Sequence, residues 1–195
     1  MSKGRLEAFS DGVIAVIITI MVLEMKAPRG IGFDALRPLI PIFLSYALSF
    51  VFIGIYWNNH HHLLQATRLV NGRILWANLH LLFWLSLIPF VTSWMGENHF
   101  AALPVALYGA VMLFAGVAYF ILTRTLIAHH GESSDLGAAL GRDLKGQVSL
   151  VLYAAAIPLS FAHSWIGCAL YVVVAVMWLV PDRRIEKMLA PRTSS

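Results

Sequence analysis

Residues 146–181 contain no charged side chain. As a single helix that stretch would be about 54 Å long at 1.5 Å per residue, well beyond the ~30 Å of hydrocarbon in a bilayer. A run so long and so apolar must cross a membrane twice. "SFAHSWIG" supplies the turn, through His163, Ser164 and Gly167. The rest of the chain agrees. It is 59% hydrophobic and only 12% charged, where a soluble domain carries about a quarter charged residues. The mean hydropathy is +0.75.

Further membrane-length runs give six expected crossings, at residues 9–25, 39–57, 74–95, 103–125, 147–161 and 165–180. Strands are excluded despite the β-branched "VIAVIITIMV", because an isolated strand in lipid leaves its backbone unpaired while a helix satisfies its own. The expected fold is therefore all-α: one six-helix bundle over residues 1–195, with no internal repeat. Six crossings put both termini on one side. With the termini inside, the inner segments carry Lys3, Arg5, Arg68, Arg73, Arg124, Arg142, Lys145, Arg183, Arg184, Lys187 and Arg192, and the outer loops only Lys26, Arg29 and Arg37. That asymmetry matches the positive-inside rule and predicts cytoplasmic termini. The net charge of +4 comes from residues flanking apolar spans, which argues against a nucleic-acid partner. "SSDLGAALGRDLKG" reads as a short surface helix and "PDRRIEKMLAPR" as a basic interfacial tail. Glu7 and Asp11 intrude on what would be the basic n-region of a signal peptide, so the first run reads as a crossing. The single cysteine, Cys168, excludes an intrachain disulfide and reads as small core filling.

The first helix is the informative one. Between Asp11 and Glu24 there is only about 18 Å of uncharged helix, so its charged ends must meet water or protein. With Val16 at zero and about 100° per residue, Ile20 falls at about +40°, Leu23 at about −20°, Gly12 at about −40° and Thr19 at about −60°. On the same wheel Ser10 lies at about +120°, Glu7 at about 180° and Asp11 at about −140°. One face is thus apolar apart from Thr19, and the other carries Glu7, Ser10 and Asp11. Partners for the polar face are available in "YWNNHHHLL" and "WANLHLLFW": Trp57, Asn58, Asn59, His60, His61, His62, Asn78 and His80. Two readings stand for Ser10 and Asp11, as fasteners between helices or as an ion-binding or proton-relay site. Two also stand for the apolar stripe, as packing against core or lipid or as the lining of a pore. Thr19 fits either, since its hydroxyl can bond back to its own helix.

Arg5-Leu6-Glu7-Ala8-Phe9-Ser10-Asp11 matches the R-x-x-x-F-S-D signature of the transmembrane protein 175 family of potassium channels. The size, the six expected spans and the segment from Trp57 to His62 also resemble its prokaryotic single-repeat members. The resemblance implies a homotetramer in the cell inner membrane, multi-pass, with four first helices lining a central path for K+ and other monovalent cations and no cofactor. Carried over by offset from the motif, the constriction falls at Val16, at Thr19 or Ile20, and at Leu23. Val16 is smaller than the isoleucine or leucine usual at the narrowest ring. Arg5, Phe9, Ser10 and Asp11, with Trp57, His60, His61 and His80, are then residues that hold the helices together. There is no TVGYG-like filter, so such a path would gate by dewetting at an apolar ring, with modest preference for potassium over sodium.

Three rival classes have weaker support. His60, His61 and His62 are consecutive and do not share a helix face, and there is no H-E-x-x-H or cysteine partner, which argues against a metal site. His80 with His60–His62 as haem ligands is the remaining variant of that idea. A hydrolase lacks a G-x-S-x-G elbow, and adjacent Ser10 and Asp11 point about 100° apart, so the chain is not expected to be an enzyme. A proton-coupled secondary transporter using Asp11 and the histidines, with Pro41, Pro89, Pro104 and Pro158 as helix breakers, is the alternative.

Overall fold

The computed structural model describes residues 2–65, 67, 69–130 and 143–179, all helix and connections with no strand among them. Helix α1 spans Lys3–Leu23. A 3₁₀ helix, Phe33–Leu39, leads into α2, Ile40–Gln65. Then follow α3 (Gly72–Ser86), α4 (Ile88–Glu97), α5 (Ala102–His130), α6 (Leu144–Ala162) and α7 (Ser164–Leu179). Five stretches are long and apolar enough to cross a membrane, with α3 and α4 counted together, and α7 is a shorter apolar helix. Most of "SSDLGAALGRDLKG" and all of "PDRRIEKMLAPR" lie outside the described residues.

Local chemistry sets the ends. Asn71 caps α3, its side-chain oxygen accepting from the Ile74 amide at 3.0 Å. Asp143 caps α6, accepting from the Gly146 amide at 2.8 Å. Each satisfies a backbone donor that the first turn of a helix leaves without a partner. The single helix expected over residues 74–95 is two helices, broken at Leu87. Pro89 explains the break: it has no N–H to offer the Leu85 carbonyl, and its ring crowds that turn. The turn in "SFAHSWIG" is tighter than a loop. His163 alone is extended, with φ −160° and ψ 115°, and α7 folds back along α6.

Helix α5 is the hub, packed against α3, α4, α6 and α7. Its Val105, Tyr108, Met112, Ala115, Ala118 and Leu122 are fully buried. Small residues allow the closest approaches. A Cβ on Gly167 would run into the Ser160 hydroxyl of α6. One on Gly96 of α4 would sit 2.7 Å from the Ile42 Cα of α2. That obstacle is backbone and cannot rotate away. Gly96→Ala is expected to destabilise the fold by about 2 kcal/mol, the middle of the range for overpacking. Thermal unfolding in detergent, run beside Gly54→Ala, where a Cβ meets nothing within 4 Å, separates steric cost from helix propensity.

Helix α1 is peripheral to this hub. It touches α2, α3 and α4 on one side only. The side chains it buries, Leu6, Ser10, Ile14, Ile17 and Met21, recur every three or four residues, one narrow stripe of a helix. Most of the rest of its surface is exposed in the protomer.

Candidate pore-lining helix and its anchor

The buried stripe of α1 holds one polar group, Ser10, which is fully buried. Its hydroxyl donates to the Leu6 carbonyl at 2.9 Å. The oxygen therefore accepts from the Asn78 amide nitrogen of α3, 3.0 Å away. With the amide so oriented, Asn78 Oδ1 faces His60 of α2, whose Nε2 lies 2.7 Å away and donates to it. Each donor is fixed by the one before it, so the Leu6 carbonyl ultimately sets the His60 tautomer. Ser10, Asn78 and His60 are all buried and tie three helices together.

A second, exposed set fastens the end of α1 that carries Lys3 and Arg5. The Trp57 indole N–H donates to Asp11 Oδ1 at 3.0 Å. Trp57 stacks on His61 with ring centroids 6.0 Å apart, and the Gln65 amide donates to His61 Nε2 at 2.8 Å. Lys3 donates to the Gln65 carbonyl at 2.9 Å and stands 3.8 Å from Glu7. Arg5 is exposed.

Several expectations change here. Ser10 and Asp11 do not share a face: Ser10 centres the buried stripe, whereas Asp11 is exposed and reaches only the edge of α2. The hydrogen bond of His80 stays within its own helix. The side chain is exposed, and its Nε2 accepts from Trp84 one turn along α3 at 3.0 Å, because a Trp at i+4 is the nearest donor on its own helix. No group of three metal-binding side chains occurs among the described residues. Phe9, expected to pack between helices, is 51% exposed in the protomer.

The stripe expected to line a path is exposed throughout. Val16 is 54%, Ile20 41% and Leu23 77% accessible, and Gly12 and Thr19 are exposed too. The Thr19 hydroxyl donates to the Val16 carbonyl at 2.9 Å, leaving its lone pairs outward. Phe9 belongs to this stripe: seven residues before Val16, it lies about 20° away on the wheel. The same arithmetic applied one heptad earlier would have found it from sequence. Beside the stripe runs an apolar groove of about 1030 Å³, with Phe9, Gly12, Val16 and Ile20 on one wall and Pro89, Phe90 and Trp94 on the other.

A multi-pass helical membrane protein that fastens one helix by a buried polar chain and leaves that helix's apolar stripe exposed fits the class of small helical membrane channels. The comparisons with known proteins agree. The family model described as endosomal/lysosomal potassium channel TMEM175 matches residues 5–89. A protein of Chryseobacterium sp. (strain P1-3) described as a potassium channel is 53% identical over 97% of this chain and 98% of its own. The crystal structure of a lysosomal potassium-selective channel TMEM175 homolog from Chamaesiphon minutus superposes with TM-score 0.79 at 27% identity, covering 93% of this chain and 97% of that one. A chicken (Gallus gallus) protein described as the endosomal/lysosomal proton channel TMEM175 is 33% identical over 68% of this chain, which spans 30% of that longer protein. The chain belongs to the TMEM175 family. Its relatives are channels and not enzymes.

Proposed function

We propose that this protein is a potassium-permeable cation channel, a homotetramer in which four α1 helices line the ion path. The observation that carries the reading is the uncovered stripe of α1. Its opposite side packs against α2, α3 and α4, so the helix is held firmly while Phe9, Gly12, Val16, Thr19, Ile20 and Leu23 stay exposed in the protomer. Around a fourfold axis those side chains form stacked rings. Val16 and Leu23 supply dry layers, and Thr19 between them supplies hydroxyl oxygens.

Conduction then depends on hydration. An apolar ring conducts only when wide enough to stay wet. Sodium binds its water more tightly than potassium and loses more at a dry layer, which gives a modest preference for potassium. Because the Thr19 proton is committed to the Val16 carbonyl, the oxygen lone pairs remain to replace part of that water. No cofactor takes part. Six crossings, with α7 as the last, give cytoplasmic termini in the cell inner membrane, in line with the distribution of lysine and arginine.

Purified protein reconstituted in a planar bilayer under bi-ionic potassium and sodium tests this. Discrete current steps with a reversal potential favouring potassium are the expected result. Saturating, coupled uptake into liposomes without unitary steps would overturn it in favour of the proton-coupled transporter.

A further inference from the structure

The connection between α1 and α2 carries the most exposed large apolar side chains of the described residues. Ile31 is 109% and Phe33 91% accessible, and Leu36 is 48%. It is nevertheless ordered locally. No residue of the 3₁₀ helix Phe33–Leu39 is buried, yet the Ala35 amide bonds the Gly32 carbonyl at 3.0 Å. Gly30 lies close under Ala35 as well, where an added Cβ would be 3.1 Å from the Ala35 Cβ. The turn is folded on itself and holds its apolar side chains outward.

Its charge is equally distinctive. Lys26, Arg29 and Arg37 are exposed, and none forms a salt bridge among the described residues. Asp34 is the only acid between residues 25 and 39. All three basic residues on the side of the membrane away from the termini are gathered here, where the positive-inside rule calls for few. The apolar stretch Phe33–Gln65 is 33 residues long, against about 20 needed to cross, so its first turns belong at the interface between headgroups and acyl chains. Aromatic and branched apolar side chains favour that depth, and arginine and lysine beside them reach phosphate.

We propose that residues 26–39 form an anchor that binds acidic phospholipid in the leaflet where α1 ends and α2 begins, with Ile31 and Phe33 entering the acyl boundary and Lys26, Arg29 and Arg37 holding headgroup phosphate. The net positive charge of the segment selects an anionic bilayer surface over a neutral one. The proposal rests on α1 and α2 crossing the membrane, and stands or falls independently of conduction.

Two measurements on the full-length protein test it. In the first, Phe33→Cys is combined with Cys168→Ala, and the introduced thiol carries an environment-sensitive fluorophore in lipid nanodiscs. Quenching by shallow lipid-attached nitroxide, with protection from aqueous iodide, is expected. Iodide quenching alone would overturn the proposal by placing the loop in water. Protection from both quenchers would also overturn it, showing the loop covered by a neighbouring copy. In the second, retention of phosphatidylglycerol against phosphatidylcholine is read in mixed micelles. Arg29→Gln with Arg37→Gln is expected to lower that preference about thirtyfold, two basic residues' worth of headgroup attraction. Asp34→Asn is expected to raise it, a gain that misfolding cannot imitate, and millimolar inorganic phosphate is expected not to compete. An unchanged preference in both variants, or full competition by free phosphate, would overturn the lipid assignment.

Discussion

Asn78→Leu is expected to lower the unfolding free energy by about 2 kcal/mol, within the range for leaving a buried donor unsatisfied. The substitution keeps the branching and heavy-atom count of the side chain and removes both of its hydrogen bonds. Ser10 loses little, since its hydroxyl still donates to the Leu6 carbonyl. His60 loses the acceptor of its Nε2 proton in a site sealed from water, and that orphaned donor carries most of the cost. His60→Phe leaves the Asn78 oxygen similarly stranded. The double variant strands neither, so it is expected to cost about 1 kcal/mol less than the sum of the two, a coupling typical of groups in direct contact. Hydrogen bonds between membrane helices average only about 0.6 kcal/mol in comparable cycles, because chains unfolded within lipid find other partners. This chain should exceed that average because three helices converge on it. Denaturant titration in mixed micelles measures all three variants. Trp57→Phe, which breaks the exposed hydrogen bond to Asp11 and keeps an aromatic ring beside His61, serves as the control and should move stability by less than about 0.5 kcal/mol. Strict additivity of Asn78→Leu and His60→Phe would show that the chain does not act as a unit.

Such a cycle could not have been designed from sequence, although its members were in view there. The angle arithmetic on α1 separated the stripe around Val16 from Ser10, because a helix has one period and no register to choose. The candidate partners were likewise legible as the polar residues of "YWNNHHHLL" and "WANLHLLFW". Choosing among them needed the rotation of α2 and α3 against α1, which local sequence does not encode. His60 and Asn78 turn inward while His80, two residues beyond Asn78, turns outward to Trp84. The break at Leu87 is hidden in the sequence for a related reason. Pro89 can kink a continuous helix or begin a new one, and packing against α2 and α5 decides which. Phe9 is a different case: its place about 20° from Val16 follows from the helical period alone and needs no knowledge of packing.

That angle separates a stripe facing an ion path from one facing lipid, since both are exposed in a single protomer. Leu23 is 77% and Val22 43% accessible, one residue apart in sequence and about 100° apart around α1. If four α1 helices surround the path with Val16 innermost, Leu23 points to the axis and Val22 toward the flank. Leu23→Ala then removes twelve heavy atoms from one layer of the tetramer, three from each copy. A wider apolar ring stays wet more of the time, so unitary conductance or open probability is expected to rise severalfold, with some loss of preference for potassium. Val22→Ala removes two carbons from each copy near the same depth, and is expected to leave both quantities near those of the unmodified protein. A shared effect of the two substitutions on stability cancels in that comparison, because conductance is read only from assembled channels. Equal changes in single-channel recordings would mean that the Leu23 side of α1 does not face the ions. The stripe would then belong to contacts between copies or with lipid, and the apolar groove between α1 and α4 would become the surface to examine for the neighbouring subunit.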